Sequence, residues 1–275
     1  MWIDTHCHLE KAQQARELPA LLERMQEAGV HRCVTIGTSP KDWDLYFRLA
    51  KRYPGLVDWT VGLHPGEAGE EWEDAVQAIS TFFTVDPLPV ALGEIGLDYF
   101  HLPKYPDEAA EVKKRQQTAF TRQLELAYQL DCPVVIHSRN AVPDCIRLID
   151  DSGIDWNKVV FHCFTEGPEA LRPILERGGR ASFTGILTYK NSYAEAIREA
   201  LREQGPGRLM LETDGPYLTP EPLRGQPNEP AYMLHTARKA AELLGMQETV
   251  LAEQTTANAR AFYQLKGERG QGPMM

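Results

Sequence analysis

Eight short β-branched or apolar runs recur along the chain, at residues 2–5, 33–36, 57–61, 90–92, 134–136, 159–161, 181–183 and 209–211. Longer stretches with helical apolar spacing follow them. This alternation constrains the fold more than any single motif does. A strand that is followed by a helix re-enters the sheet in the same direction, so the repeat specifies a parallel sheet. Eight such units close into a (β/α)8 barrel of the TIM type, which typically takes about 250 residues. The chain has 275 residues, enough for one such barrel. We expect a single domain over residues 1–265 and a flexible tail, Gly-rich from Gly267, over residues 266–275.

The clearest expected helix covers residues 108–130, where Phe120, Leu124, Ala127 and Leu130 recur at spacings of three and four and would face the barrel. Its Lys113-Lys114-Arg115 run is expected to be a solvated face. Helix stops fall at Gly29, at Gly178-Gly179 and at Gly205-Pro206-Gly207. Residues 213–230 hold five prolines and two glycines without apolar periodicity, the composition of a long ordered loop that carries function.

Several function classes find no support. No stretch approaches the roughly 18 apolar residues of a membrane span. The N-terminus lacks the basic and apolar regions of a secretory signal. Five cysteines, none in a C-x-x-C pair, suit free thiols in a reducing compartment, so a cytoplasmic location is expected. No Walker, dinucleotide-binding or serine-elbow motif occurs. Net charge is −10, from 29 Lys and Arg against 39 Asp and Glu, which opposes wrapping of a polyanion but not a grip on a strand end.

The chemistry shows in what stands at the C-terminal end of each expected strand. The first run leads to His6 and His8, the third to His64, the fourth to Glu94, the fifth to His137, the sixth to His162 and the eighth to Asp214. In a β/α barrel these ends form one face, where active sites are built. His6, His8, Glu94, His137, His162 and Asp214 are therefore expected metal ligands. They exceed the needs of one tetrahedral ion, which suggests two divalent ions bridged by a carboxylate, with Glu94 the bridging candidate. The donor set leaves the metal open among Mg, Mn, Fe, Ni and Zn.

Asp214 can both bind an ion and accept the proton of an attacking water, with a helix N-cap as its structural alternative. His64 is expected either at a substrate phosphate or leaving group, or as a hydrogen-bond donor behind a ligand. Arg139 and Lys190, just past the fifth and seventh runs, are candidate phosphate contacts, although surface ion pairs are the commoner fate of such residues. His31, His101 and His235 lack the strand-end placement and are expected to be structural. Cys163 is expected to be a small core residue rather than a nucleophile.

Seven segments, in order, resemble the TatD-related deoxyribonucleases: His6-Cys7-His8-Leu9, Gly62-Leu63-His64-Pro65, Gly93-Glu94-Ile95-Gly96-Leu97-Asp98-Tyr99, Ile136-His137-Ser138-Arg139, His162-Cys163-Phe164, Glu212-Thr213-Asp214-Gly215-Pro216-Tyr217-Leu218 and Asn228-Glu229-Pro230. The resemblance implies an amidohydrolase-like barrel with His6, His8 and Asp214 on one ion, His137 and His162 on the other, and Glu94 between them. It also implies Mg- or Mn-dependent hydrolysis of DNA, commonly 3′-5′ exonucleolytic on single strands. Gly215, Leu223 and Glu10 depart from the family's usual residues. Of these, Leu223 replaces a His that often precedes Arg-Gly and puts substrate preference in doubt. The alternatives are a small-molecule hydrolase acting on a lactone, amide or phosphotriester at the same metal pair, and a binding module that has lost its chemistry.

Overall fold

The structure, a computed structural model, describes residues 1–265, and the tail expected over 266–275 lies outside the described residues. From the N-terminus the elements are β1 (Trp2–Cys7), α1 (Glu10–Gln14), α2 (Leu18–Glu27), β2 (Val30–Thr35), α3 (Pro40–Arg52), β3 (Val57–Trp59) and α4 (Trp72–Phe82). Then follow β4 (Leu92–Asp98), α5 (Pro106–Leu130), β5 (Val134–Arg139), α6 (Val142–Ser152), β6 (Val159–Phe161), α7 (Pro168–Arg177), β7 (Arg180–Phe183), α8 (Ser192–Gln204), β8 (Met210–Leu211), α9 (Met233–Leu244) and α10 (Glu248–Phe262).

Strands β1-β2-β3 and β4-β5-β6-β7-β8 pair in sequence order, all in parallel. Single parallel bridges, Val61 with Leu92 and Cys7 with Gly215, join the two sheets at both seams. At the second seam the Asp214 N–H donates to the His6 carbonyl at 2.9 Å and the His8 N–H to the Gly215 carbonyl at 2.8 Å. Those bonds fix the loop after β8 against β1, and with it Asp214 against the two imidazoles.

Two packed layers set the barrel. Outside, α5 buries Phe120, Leu124 and Ala127 against a sheet face that includes Leu92, Ile95, Val134 and Ile136, as its spacing predicts, whereas Leu130 at the helix end is only half-buried. The helix begins at Pro106, two residues before the expected start, because proline at the first turn gives up an N–H that has no helical partner anyway. Inside, Ile3, Val34, Ile36, Val135, Val160 and Met210 meet Ala259, Phe262, Tyr263 and Leu265 from the C-terminal segment. The Tyr263 hydroxyl donates to the Thr5 carbonyl at 3.1 Å. This segment closes the end of the barrel opposite His6 and His8.

Strands β5 and β6 keep a strict alternation, so the inward side of Val135 leads to His137 and that of Val160 to His162. Strands β1 and β4 do not. The pairing register shifts between Asp4 and Cys7 in β1 and between Leu92 and Ile95 in β4. Below each shift the inward residues are odd-numbered, Ile3 and Ala91; above it they are His6, His8 and Glu94. An irregularity of one residue re-aims everything after it. Strand β4 also starts later and runs further than residues 90–92, so Glu94 lies within the strand rather than beyond its end.

Candidate metal centre

The mouth of the barrel gathers His6, His8, His64, Glu94, His137, His162 and Asp214. Nε2 of His6 is 3.5 Å from Glu94 and 3.6 Å from Asp214, and Nε2 of His8 is 3.5 Å from the same Asp214 oxygen. Across the mouth, Nδ1 of His137 and Nε2 of His162 each lie 2.7 Å from Oε1 of Glu94. His64 Nε2 stands 3.6 Å from that oxygen. The His6 and His162 rings stack at 3.9 Å, and the two ligand groups meet there.

Among the described residues, donor atoms converge in three groups: His6, His8 and Asp214; His64, Glu94 and His137; and His6, His162 and Glu212. Both ring nitrogens of His6 and Nδ1 of His162 are buried without a hydrogen-bond partner. A buried polar atom left in this way costs free energy, and a cation among them removes that cost. Imidazole and carboxylate donors at this density fit divalent transition ions, Mn among them, and the carboxylates leave Mg open.

Charge at the mouth follows from the same crowding. Burial opposes ionisation of Glu94, but the His162, His64 and His137 imidazoles outweigh it and hold the carboxyl well below its usual range. Burial equally opposes protonation of His8, yet Asp214 raises it to about 9. His162 is lifted well above the ordinary imidazole value because the charges of Glu94 and Glu212 overcome its burial. His64 goes the other way: burial dominates and lowers it to about 4. With no ion bound, His8 and His162 therefore favour the protonated form and His64 the neutral one.

Three carboxylates that position these groups were not singled out from sequence. Asp98, at the end of β4, holds His137 Nε2 at 3.3 Å and His101 Nδ1 at 2.7 Å, so His101 belongs to the network around the site. Glu212 accepts from the Cys163 N–H at 2.6 Å and from Ser182 Oγ at 2.5 Å, with His162 Nδ1 at 3.5 Å. Asp4 accepts from the N–H and hydroxyl of Thr213, at 3.0 and 2.6 Å, and so anchors the residue before Asp214. Burial pushes the Asp4 carboxyl up to about 7 despite those bonds. A signal for Asp98 was available, since it lies four residues beyond Glu94 in the same strand and alternation points it to the same side; Glu212 lies past the end of β8, where alternation does not reach.

Asp214 and Cys163 both have positive φ, 54° and 43°, a conformation that non-glycine residues adopt at some cost. The backbone bonds of Asp214 to His6 and of Cys163 to Glu212 hold them there. Arg139 is exposed at the end of β5 with its guanidinium 4.2 Å over the Phe100 ring. Lys190 is exposed before α8 and, among the described residues, forms no ion pair with the cluster. His31 is exposed within β2, and His235 lies on α9. The Lys113-Lys114-Arg115 run is a surface face, with Lys113 3.3 Å from Asp144 and Arg115 4.0 Å from Glu111.

A family model described as TatD related DNase matches residues 3–264. The Bacillus subtilis protein named uncharacterized metal-dependent hydrolase YabD is 32% identical over 265 residues, covering 96% of this chain and 100% of its own. The Pectobacterium atrosepticum protein named 3′-5′ ssDNA/RNA exonuclease TatD is 32% identical over 266 residues, covering 95% of this chain and 99% of its own. Among solved structures, the TatD homologue YJJV of Escherichia coli superposes with a TM-score of 0.86 at 25% identity, covering 96% of this chain and 98% of that one. These matches agree with the fold, which is a TIM barrel of the amidohydrolase-like kind. The chain belongs to the TatD family of metal-dependent hydrolases.

Proposed function

We propose that the chain hydrolyses phosphodiester bonds of DNA, acting as a 3′-5′ exonuclease on single strands with two divalent ions, Mg or Mn, at the barrel mouth. The carrying observation is the placement of Glu94 between two ligand groups, 3.5 Å from His6 on one side and 2.7 Å from His137 and His162 on the other. His6, His8 and Asp214 would hold one ion, His137 and His162 the other, with Glu94 shared. When bound, such a pair supplies an acidified water and stabilises the oxygens of an in-line displacement.

The remaining work falls to side chains of the protein. Asp214 is placed beside the attacking water to accept its proton; burial opposes ionisation of its carboxyl, and His8 and His6 hold it below the usual range. His64 Nδ1 accepts from the Gly66 N–H at 3.0 Å. A neutral ring used in this way carries its proton on Nε2, which faces the cluster. His64 is thus a donor to a phosphate or leaving oxygen rather than an ion ligand. Asp98 and Glu212 orient His137 and His162 from behind, as carboxylates commonly do for metal-bound imidazoles.

The relative named as a 3′-5′ exonuclease supports the choice of substrate. Five free cysteines support a cytoplasmic location, and no described helix is long and apolar enough to cross a membrane. Timed digestion of end-labelled single- and double-stranded DNA with Mg or Mn tests the reading. A ladder shortening from the 3′ end of the single strand is expected, and Glu94→Ala should abolish it while His235→Ala retains it. Intact DNA beside hydrolysis of a lactone or small phosphotriester would reassign the same metal pair to small molecules.

A further inference from the structure

The ligands form a continuous chain of contacts from His8 through Asp214, His6, Glu94 and His137 to Asp98. At each end of that chain stands a solvent-exposed aromatic ring coupled to a cation. Beyond His8 is Tyr217, its ring centroid 6.5 Å from the imidazole and its surface 53% exposed. Lys11 Nζ lies 4.9 Å from the Tyr217 ring centroid and donates to its hydroxyl at 3.4 Å. Beyond Asp98 and its partner His101 is Phe100, its ring 5.0 Å from the His101 ring and 58% exposed, with the Arg139 guanidinium 4.2 Å above it.

Tyr105, Tyr128 and Tyr193 are exposed as well, so exposure alone does not single out Phe100 and Tyr217; their place at the two ends of the ligand chain, each against a cation, does. Their position decides what they suit. A ring flanking a phosphodiester-cleaving centre offers a stacking face to a base, and a cation beside it meets the adjoining phosphate. Aromatic stacking with cationic contacts along a backbone is the general mode for unpaired, sequence-tolerant nucleic-acid binding. Paired bases cannot use it, because their faces are already stacked. A chain of net charge −10 gains little from general attraction to a polyanion, so local contacts of this kind count for more.

We propose that Phe100 with Arg139, and Tyr217 with Lys11, are two nucleotide subsites, one on each side of the scissile phosphate, that stack unpaired bases. This inference rests on the phosphodiesterase reading above. It assigns single-strand preference to two rings rather than to the metal centre.

A crossed substrate and variant experiment tests it. Initial kcat/KM is measured with Mn on a short single strand and on the same strand with abasic nucleotides on both sides of the scissile bond, for wild type, Phe100→Ser, Tyr217→Ser and Tyr128→Ser. Tyr128 is an exposed tyrosine near the C-terminal end of α5, away from the mouth. Bis(4-nitrophenyl) phosphate is run in parallel to report the metal chemistry alone.

Wild type and Tyr128→Ser are expected to lose about 10- to 100-fold on the abasic strand, the range of one or two stacked bases. Phe100→Ser and Tyr217→Ser should lose a similar factor on the intact strand, chiefly in KM, and little more on the abasic one. Variants that match wild type on the intact strand overturn the subsites. So does an equal loss on intact and abasic strands, which marks a structural role. Wild-type cleavage of the small diester with no cleavage of any strand overturns the DNA reading itself, and the subsites with it.

Discussion

Glu212 is the residue whose contribution the sequence disguised most completely. It stands beside Asp214 in Glu212-Thr213-Asp214, yet it is fully buried, and its two oxygens are occupied by the Cys163 N–H and the Ser182 hydroxyl. Its effect on the site passes through His162, whose Nδ1 it faces at 3.5 Å. Loss of such an orienting carboxylate typically costs about 10- to 100-fold in metal affinity or turnover. We therefore expect Glu212→Gln to fold and to bind Mn about 10- to 100-fold more weakly by calorimetry. Unchanged affinity would show that His162 is held by its stack on His6 alone. Protonation is coupled to the same equilibrium. His8, raised to about 9, and His137 and His162, also raised, hold protons that an ion must displace. The sign follows: raised imidazole values mean that the metal-free form binds more protons, so metal affinity falls as pH drops below about 9. The expected slope is roughly tenfold per pH unit for each proton displaced. Calorimetry in buffers of different ionisation enthalpy should register net proton release at pH 7, and zero release would contradict the proton-for-metal exchange.

At the scale of elements, the alternation of strands and helices was legible because each unit carries its own period and its own stop. Runs 134–136 and 159–161 coincide with the starts of β5 and β6, where alternation is unbroken. The fourth run was displaced to 90–92 because Gly93 and Gly96 interrupt the apolar pattern of β4, although the strand continues to Asp98. No local period reveals the register shifts in β1 and β4, since they depend on pairing with a neighbour distant in sequence. Gly96 shows why glycine is needed there. Its φ is +140°, and a Cβ would overlap the carbonyl oxygen of His137 in the adjacent strand. Gly29 also has positive φ, at +80°, but a Cβ there meets nothing within 4 Å. We expect Gly29→Ala to cost about 1–2 kcal/mol, the backbone penalty alone. Gly96→Ala adds a clash between strands that carry Glu94 and His137, for a total of about 3 kcal/mol or more. Urea midpoints of the two variants check this, and equal losses would mean that β4 and β5 can part without cost.

For the molecule as a whole, the architecture separates stability from chemistry along the barrel axis. One end is filled by Phe262, Tyr263 and Leu265 packed on Ile3, Val135 and Met210, which seals the interior with apolar contact. The other end gathers the proposed ligands His6, His8, Glu94, His137, His162 and Asp214 from strands of both sheets and the loop after β8, so the cluster exists only when the ring is complete. That division also bears on how a chain of net charge −10 can take a polyanion. Salt dependence reports the number of phosphates neutralised by side chains, at about 0.7 in log–log slope for each on a single strand. If Lys11 and Arg139 are the cations that meet phosphates, the slope of log(1/KM) against log salt is about −1.4 with the metals saturating. A slope steeper than about −4 would require a basic surface of six or more phosphate contacts and would overturn a grip made by these two cations alone. Lys11→Gln and Arg139→Gln should each flatten the slope by about 0.7 while Lys114→Gln, on the outer face of α5, leaves it in place. Two losses of that size would locate the polyanion grip at the rim of the metal centre, and their absence would move it elsewhere on the barrel.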